Sequence, residues 1–292
     1  MVTVPDARCA EIARTLDEPM VGTAPSTRRW LCLERTEPWP ADINQDRDPG
    51  VRALLARAAA AGFRPLMIRS TEGGPERRPP RVFLTDTAPG RTVTTTLDIE
   101  RLEQLDDLPL PDPDHPLPGV PVTAPMFLIC THEQRDPCCG LDGRALVDAI
   151  AGPGVFAASH LGGHRFAPTA LMLPTGYAYG RLEPTSAATI RAGAAAGVIT
   201  TDRCRGRCTW SPRGQVAELA VREASGLRSP DALIVEDDSG DVIHVGTAAG
   251  KRWAVDVEPV DVDATRPVSC GARFTLMVPL RAVEVRVLRP SS

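Results

Sequence analysis

Lysine is almost missing from this 292-residue chain: Lys251 stands alone, and the rest of the 33 Lys+Arg residues are arginines. That bias, with the richness in alanine and proline, reflects coding composition, so an arginine cluster carries less weight here than it would elsewhere. Positive charge in excess is missing too. The formal net charge of −4 supplies no strong phosphate-neutralising face and argues against a general nucleic-acid binder. No apolar run approaches the roughly 20 residues that a membrane helix needs. The opening "MVTVPDARCAEIARTLDEPM" carries charges where an export leader has its apolar stretch. A cytoplasmic protein without membrane contact is therefore expected, with its eight cysteines mostly reduced. Metal or redox chemistry then outranks a disulfide framework. No Cys-x2-Cys pair occurs, which weakens a dithiol-exchange reading.

What is present reads as a soluble globular protein, 42% hydrophobic and 24% charged, long enough for two moderate domains. Seven prolines in "PLPDPDHPLPGVPVTAP", residues 109–125, leave little scope for helix or ladder and read as a linker, with His115 a solvated linker residue. Before it, "WLCLE" is a strand and "VRALLARAAAAGF" a helix stopped by Gly62. Strands follow at 65–70, 81–87 and 92–99. After the linker the order recurs. "MFLIC" is a strand, "DGRALVDAIAG" a helix capped by Asp142, "VFAAS" a strand, and "TALMLPTGYAYGRL" a hairpin. "PTSAATIRAGAAAG" is a further helix, from Pro184 to Gly197.

The predicted fold class is α/β (α+β): two thioredoxin-like βαβββα halves plus a small C-terminal antiparallel β unit. Residues 1–108 form a half without a site, with Cys32 near the place that Cys130 holds in the second. Residues 126–228 form the half with the site. Residues 229–292 form the β unit, with a hairpin over Asp238–Ser239–Gly240 and strands in "RWAVDVEPV" and "RFTLMVPLRAVEVRVL". His244, between Ile243 and Val245, packs or faces solvent, and Cys270 reads as an inert thiol near a turn.

The chemistry concentrates in "CTHEQRDPCCG", 130–140, and "HLGGH", 160–164. Cys130 ends an apolar strand and Cys139 precedes a helix start, where the macrodipole and free N–H groups favour a thiolate. His160 and His164 sit at the end of the neighbouring strand. Gly162 and Gly163 between them make a tight loop that lets backbone N–H groups approach a cluster's sulfurs. Two thiols and two imidazoles on adjacent strand ends point to a shared metal or cluster site. Zinc is the generic guess, but the spacings match no usual finger. The HExxH protease arrangement is absent. "CTH" at 130–132 has the form of a first Rieske box without its second, which leaves His132 beside the site and a weak ligand candidate.

"CTHEQRDPCCG", "SHLGGHRFAPTALMLPTGYAYGRL" and "CRGRCTWSPRGQVAE" together resemble the sucrase/ferredoxin-like family, as does the opening "MVGTAPSTRRWLCLERTEPWP". The likeness covers about residues 9–225, and its cluster domain is related to thioredoxin-like 2Fe–2S ferredoxins. The resemblance implies a 2Fe–2S cluster, with Cys130 and Cys139 on one iron and His160 and His164 on the other. Cys138 is left as an alternative ligand or a spectator, and Cys204 and Cys208 as non-ligands.

Two imidazoles in place of two thiolates remove negative charge, so the potential should lie above the roughly −400 mV of plant-type ferredoxins. The expected function is one-electron transfer coupled to a proton, a carrier more than a catalyst with its own substrate. An unidentified redox partner, reductase or acceptor, is implied. Arg135, Arg165, Arg203, Arg205 and Arg207 form either a basic rim for such a partner or for a flavin or nicotinamide phosphate, or pairs with carboxylates such as Asp136 and Asp202. The alternatives are a thiol oxidoreductase or peroxidase using Cys138 or Cys139 and a structural zinc module. Sucrose cleavage, implied by the family name, needs a carboxylate pair that the sequence does not single out.

Overall fold

Residues 7–36, 38–72, 80–262 and 265–289 are described by the computed structural model; the charged opening residues 1–6 and Glu37 of the opening motif lie outside them. In the first half, β1 (Arg29–Glu34) leads through α2 (Pro49–Ala60) to β2 (Phe63–Ser70), parallel to β1. A short helix, α1 (Cys9–Thr15), precedes them. Helix α2 forms where it does for local reasons. Asp48 accepts the N–H groups of Gly50 and Val51, and Pro49 stands in the first turn. Val51, Leu54, Leu55 and Ala58 then fall on one buried face. Strands β3 (Arg81–Asp86) and β4 (Val93–Asp98) add on the far side of β1.

The second half repeats this order. Strand β6 (Met126–Cys130) leads through a one-turn π segment, Cys139–Gly143, and α3 (Arg144–Ile150) to the parallel β7 (Val155–Ala158). The antiparallel β8 (Ala170–Leu173) and β9 (Tyr177–Tyr179) follow. Then come α4 (Pro184–Ala195), β10 (Cys204–Arg207) and α5 (Pro212–Ser225). Counting β5 (Val120–Pro121), all ten strands form one sheet in the order β10-β9-β8-β6-β7-β2-β1-β3-β4-β5. The two halves are thus mirrored about the antiparallel β2–β7 junction, where Ile68 faces Ala158. Cys32 faces Leu66 in its parallel partner as Cys130 faces Ala158 in its own. The repeat read from element order is therefore present as topology.

The halves differ at their ends. The first closes with a 3-10 turn, Leu102–Leu105, where the second has helices. The proline-rich stretch then runs back over the sheet, contributing β5 and accepting hydrogen bonds from Arg29 at Pro111 O (2.6 Å) and from Arg28 at Pro113 O (3.1 Å). His115 is exposed there.

C-terminal strands β11 (Ile234–Asp237), β12 (Val242–Gly246), β13 (Arg252–Pro259) and β16 (Leu280–Leu288) make an antiparallel sheet. Its Ile243, Val245, Trp253 and Val255 pack on Val216, Ala217 and Val221 of α5. His244 is half-buried between its buried neighbours. The long alternating run "RFTLMVPLRAVEVRVL" is split at Pro279, which cannot donate to a ladder. Its first part becomes β15 (Phe274–Leu276) and turns away to pair with β14 (Thr265–Pro267).

Between the sheet and α5 lies a charged network without solvent. Arg222 binds Glu218 at 2.9 Å and donates to the Tyr177 hydroxyl at 2.9 Å, while that hydroxyl donates to Glu218. All three side chains are fully buried. Removing one member of such a set leaves the others charged or unpaired in a dry site. Glu218→Ala should therefore cost about 3–5 kcal/mol, read as a fall in the urea midpoint.

Candidate metal centre

Parallel pairing of β6 and β7 brings their C-terminal ends to the same edge, and the loops beyond them carry the candidate ligands. After β7, Ser159 ties the chain to β2: its N–H donates to Met67 O (2.7 Å) and its hydroxyl accepts the Met67 N–H (2.9 Å). The His160–His164 loop is as tight as its glycines imply. Gly163 sits at φ +79°, and a Cβ there would lie 2.4 Å from Arg205 Nη2. Arg205 in turn donates to Gly162 O at 2.9 Å. The loop stacks the rings of His160 and His164, with centroids 4.2 Å apart and planes 17° apart.

On the other side, the helical stretch starts at Pro137, earlier than the sequence suggested. Asp136, not Asp142, caps it: Asp136 Oδ1 accepts the Cys138 N–H at 2.8 Å. Asp142 lies inside the π segment and pairs with Arg8 at 2.8 Å. The segment is pressed against the strand end so closely that a Cβ on Gly143 would stand 1.9 Å from Cys130 O. That approach carries Cys139 to Cys130.

The four residues singled out by sequence lie on neighbouring loops, where Cys139 approaches His164 and His164 stacks on His160. Cys139, the His160 ring and the backbone of His132 and Leu161 surround the Cys130 thiol, each favouring its thiolate. Cys139 Sγ lies 3.3 Å from His164 Nδ1. Cys130, Cys139 and His164 are buried, and His160 is half-buried with a buried Nδ1 that has no hydrogen-bond partner. The donors hold the Cys130 thiol well below its usual range, the Cys139 hydrogen bond contributing most, against burial. The same contact, with burial, pushes the Cys139 thiol up. Burial, and then the neighbouring His160, lower the His164 imidazole to about 4, so it is neutral and able to ligate. Arg64 of β2, over the Trp30 ring at 5.3 Å, lies where the Cys208 and Cys130 sulfurs offset the lowering of its guanidinium by burial. The first half thus lends the centre a cation.

The remaining candidates are dispersed. His132 is buried, its Nε2 2.9 Å from Pro40 O and its ring edge-on to Trp39, so it serves Cys130 through its backbone. Arg135 is exposed. Most of the other arginines of the anticipated rim are paired or turned inward. Arg165 binds Glu18 at 2.8 Å and Arg207 binds Asp231 at 2.9 Å. Arg203 stands 3.9 Å from Asp202, and Arg205 bonds the backbone of Gly162. Asp136 pairs with backbone N–H groups instead of an arginine. Cys204 lies in β10 and Cys208 just after it, both buried, with burial raising each thiol.

Cys138 turns away from Cys139. Its sulfur lies 3.6 Å from Cys9 Sγ and 3.4 Å from Cys270 Sγ, so the thiol that looked inert near a turn belongs to a cluster. Cys9, Asp136, Cys138 and Cys270 place their ligand atoms within 4.8 Å of one another, a group that could hold a metal ion. Sequence reading missed it because its members are up to 261 positions apart.

Within this mixed α/β architecture the clustered thiols and Asp136 form a group that could hold a metal ion. The family model described as Sucrase/ferredoxin-like matches residues 20–206, and the chain belongs to that family. No curated protein and no solved structure matches it. Among the described residues, no helix is long and apolar enough to cross a membrane.

A buried neutral histidine makes the empty chain acid-sensitive. The unfolded chain takes up a proton near 6.5, while His164 in the folded chain resists until about 4. Stability should therefore fall as pH drops across that window, by up to about 3 kcal/mol. His164→Gln should flatten that part of the urea-midpoint profile.

Proposed function

We propose that Cys130, Cys139, His160 and His164 hold a 2Fe–2S cluster and that the protein is a one-electron carrier. One observation carries the reading. Two thiols and two imidazoles stand on neighbouring loops at the ends of two parallel strands, inside the region matched by the family, with Cys139 3.3 Å from His164 and His164 stacked on His160. The donor set fits such a group: a favoured thiolate, a second thiol against it, a neutral buried imidazole and an orphaned ring nitrogen. The expected pairing puts the cysteines on one iron and the histidines on the other. When bound, the cluster supplies one-electron uptake at a potential above the roughly −400 mV of an all-cysteine ferredoxin.

The chain's own residues set the conditions. Backbone N–H groups of His132 and Leu161 stabilise negative charge on the Cys130 sulfur, and Arg64 adds positive charge nearby. His160 is the half-buried member of the four, with a ring Nδ1 that has no hydrogen-bond partner. A redox partner, donor or acceptor, completes the function. Cys138 and Cys139 are 0% and 1% exposed, which leaves a thiol-exchange substrate no approach to either. A second reading, zinc at the same four residues, draws on the 3.3 Å Cys139–His164 separation, which suits two ligands of one tetrahedral ion.

EPR of the dithionite-reduced protein tests the assignment. A 2Fe–2S signal in the wild type, lost or altered in His160→Ala and in His164→Ala, is the expected result. A colourless, EPR-silent protein containing zinc would favour the second reading, and unchanged variant spectra would remove the histidines from the ligand set. The midpoint potential should fall by about 59 mV per pH unit over the range where one proton accompanies the electron. A potential flat between about pH 6 and 10, where ligand imidazoles could titrate, would overturn the proton coupling.

A further inference from the structure

The Cys9, Cys138 and Cys270 sulfurs form a nearly equilateral triangle. Its edges are 3.6 Å between Cys9 and Cys138, 3.4 Å between Cys138 and Cys270, and 3.6 Å between Cys270 and Cys9. Asp136 caps it, with Oδ2 3.7 Å from Cys9 Sγ. Two thiolates about 2.3 Å from a tetrahedral zinc stand about 3.8 Å apart, and a carboxylate oxygen about 2.0–2.2 Å from it stands about 3.5–3.7 Å from each sulfur. The three sulfur–sulfur edges and the Asp136–Cys9 edge match those values within a few tenths of an ångström, and all four ligand atoms lie within 4.8 Å of one another. A disulfide would need a single bond of about 2.05 Å and would leave the third thiol over.

Charge points the same way. Asp136 is 0% exposed, and its two oxygens accept the backbone N–H groups of Cys138 and Cys270, each at 2.8 Å. Among the described residues no arginine, lysine or histidine pairs with it. A buried carboxylate among three thiols calls for a cation. We propose that Cys9, Asp136, Cys138 and Cys270 bind one zinc ion, which fastens α1 and the β14–β15 hairpin to the start of the π segment. Three thiolates and a carboxylate in a closed tetrahedron are a structural zinc donor set.

The placement explains the use. Cys9 begins α1 and Cys270 lies in the loop joining β14 to β15. A seven-residue helix and a two-stranded hairpin are each marginal alone. Both Cys9 and Cys270 fall outside residues 20–206, so the site joins the flanks of the matched region to its centre. Zinc binding fixes Cys138, and with it the neighbouring Cys139 of the first centre. The proposal does not depend on that centre holding iron.

The test titrates the reduced full chain, kept from air, with Co2+ and then Zn2+. A His160→Ala/His164→Ala double variant removes the first centre as a competitor. It should still take up one Co2+ with tetrahedral, thiolate-rich absorption, which Zn2+ displaces. Adding Cys9→Ser or Cys270→Ser should weaken uptake a hundredfold or more, since losing only a ligand's hydrogen-bond partner costs about 10–100-fold. Absence of Co2+ uptake by the folded double variant would overturn the proposal. So would uptake indifferent to both cysteine substitutions, or an anaerobically isolated chain whose mass shows two of these three cysteines joined.

Discussion

Strands β6 and β7 run side by side in the same direction, and their C-terminal ends hold Cys130 and the His160 loop at one edge of the sheet. Antiparallel strands would have sent the two loops to opposite edges. Parallel pairing demands a crossover helix, and that helix delivers Cys139. The glycine at 143 is the hinge of the arrangement: its missing Cβ lets the π segment touch the carbonyl of Cys130 itself. Candidate ligands from two loops and a helix start are thus brought to one side of the sheet, none adjacent in sequence apart from the tight pair around Gly162 and Gly163.

The first half of the chain repeats the same strand order without the Cys130–His164 candidates, yet it is more than a relic. Through the β2–β7 junction it extends the sheet and buries the back of the centre. Through Ser159 and Met67 it fixes where the histidine loop leaves the strand, and through Arg64 it sets a positive charge beside the sulfurs. The flanks contribute as well. Glu18 is bound by Arg165 from the histidine loop and by Arg266 from β14, each at 2.8 Å, so one buried carboxylate links both ends of the chain to the centre. The group formed by Cys9, Asp136, Cys138 and Cys270 repeats that link with sulfur.

Much of this was legible before any coordinates. The apolar runs around 30–34, 65–70 and 126–130 are strands because they are short, largely buried and bounded by turn residues. Cys139 and His164, which approach to 3.3 Å, are two of the four residues whose chemistry and spacing set them apart. Less legible were the helix start at Pro137, where Asp136 took the capping role assigned to Asp142, and the split of the C-terminal run at Pro279. Helix α1 escaped notice because its seven residues carry only Cys9, Ala10 and Ala13 on the buried face.

Local pattern determined the elements, their repeat, and the presence of two cysteines and two histidines at strand ends, because periodicity and loop composition act over a few residues. Tertiary structure alone decided how Cys138 and Cys139 part company. Adjacent residues at a helix start point in different directions, and only the packed chain fixes what each one meets. For Cys139 it is Cys130 and His164; for Cys138 it is Cys9 and Cys270, brought from opposite ends of the sequence. No local signal encodes that meeting, since it depends on where α1 and the β14–β15 loop come to rest.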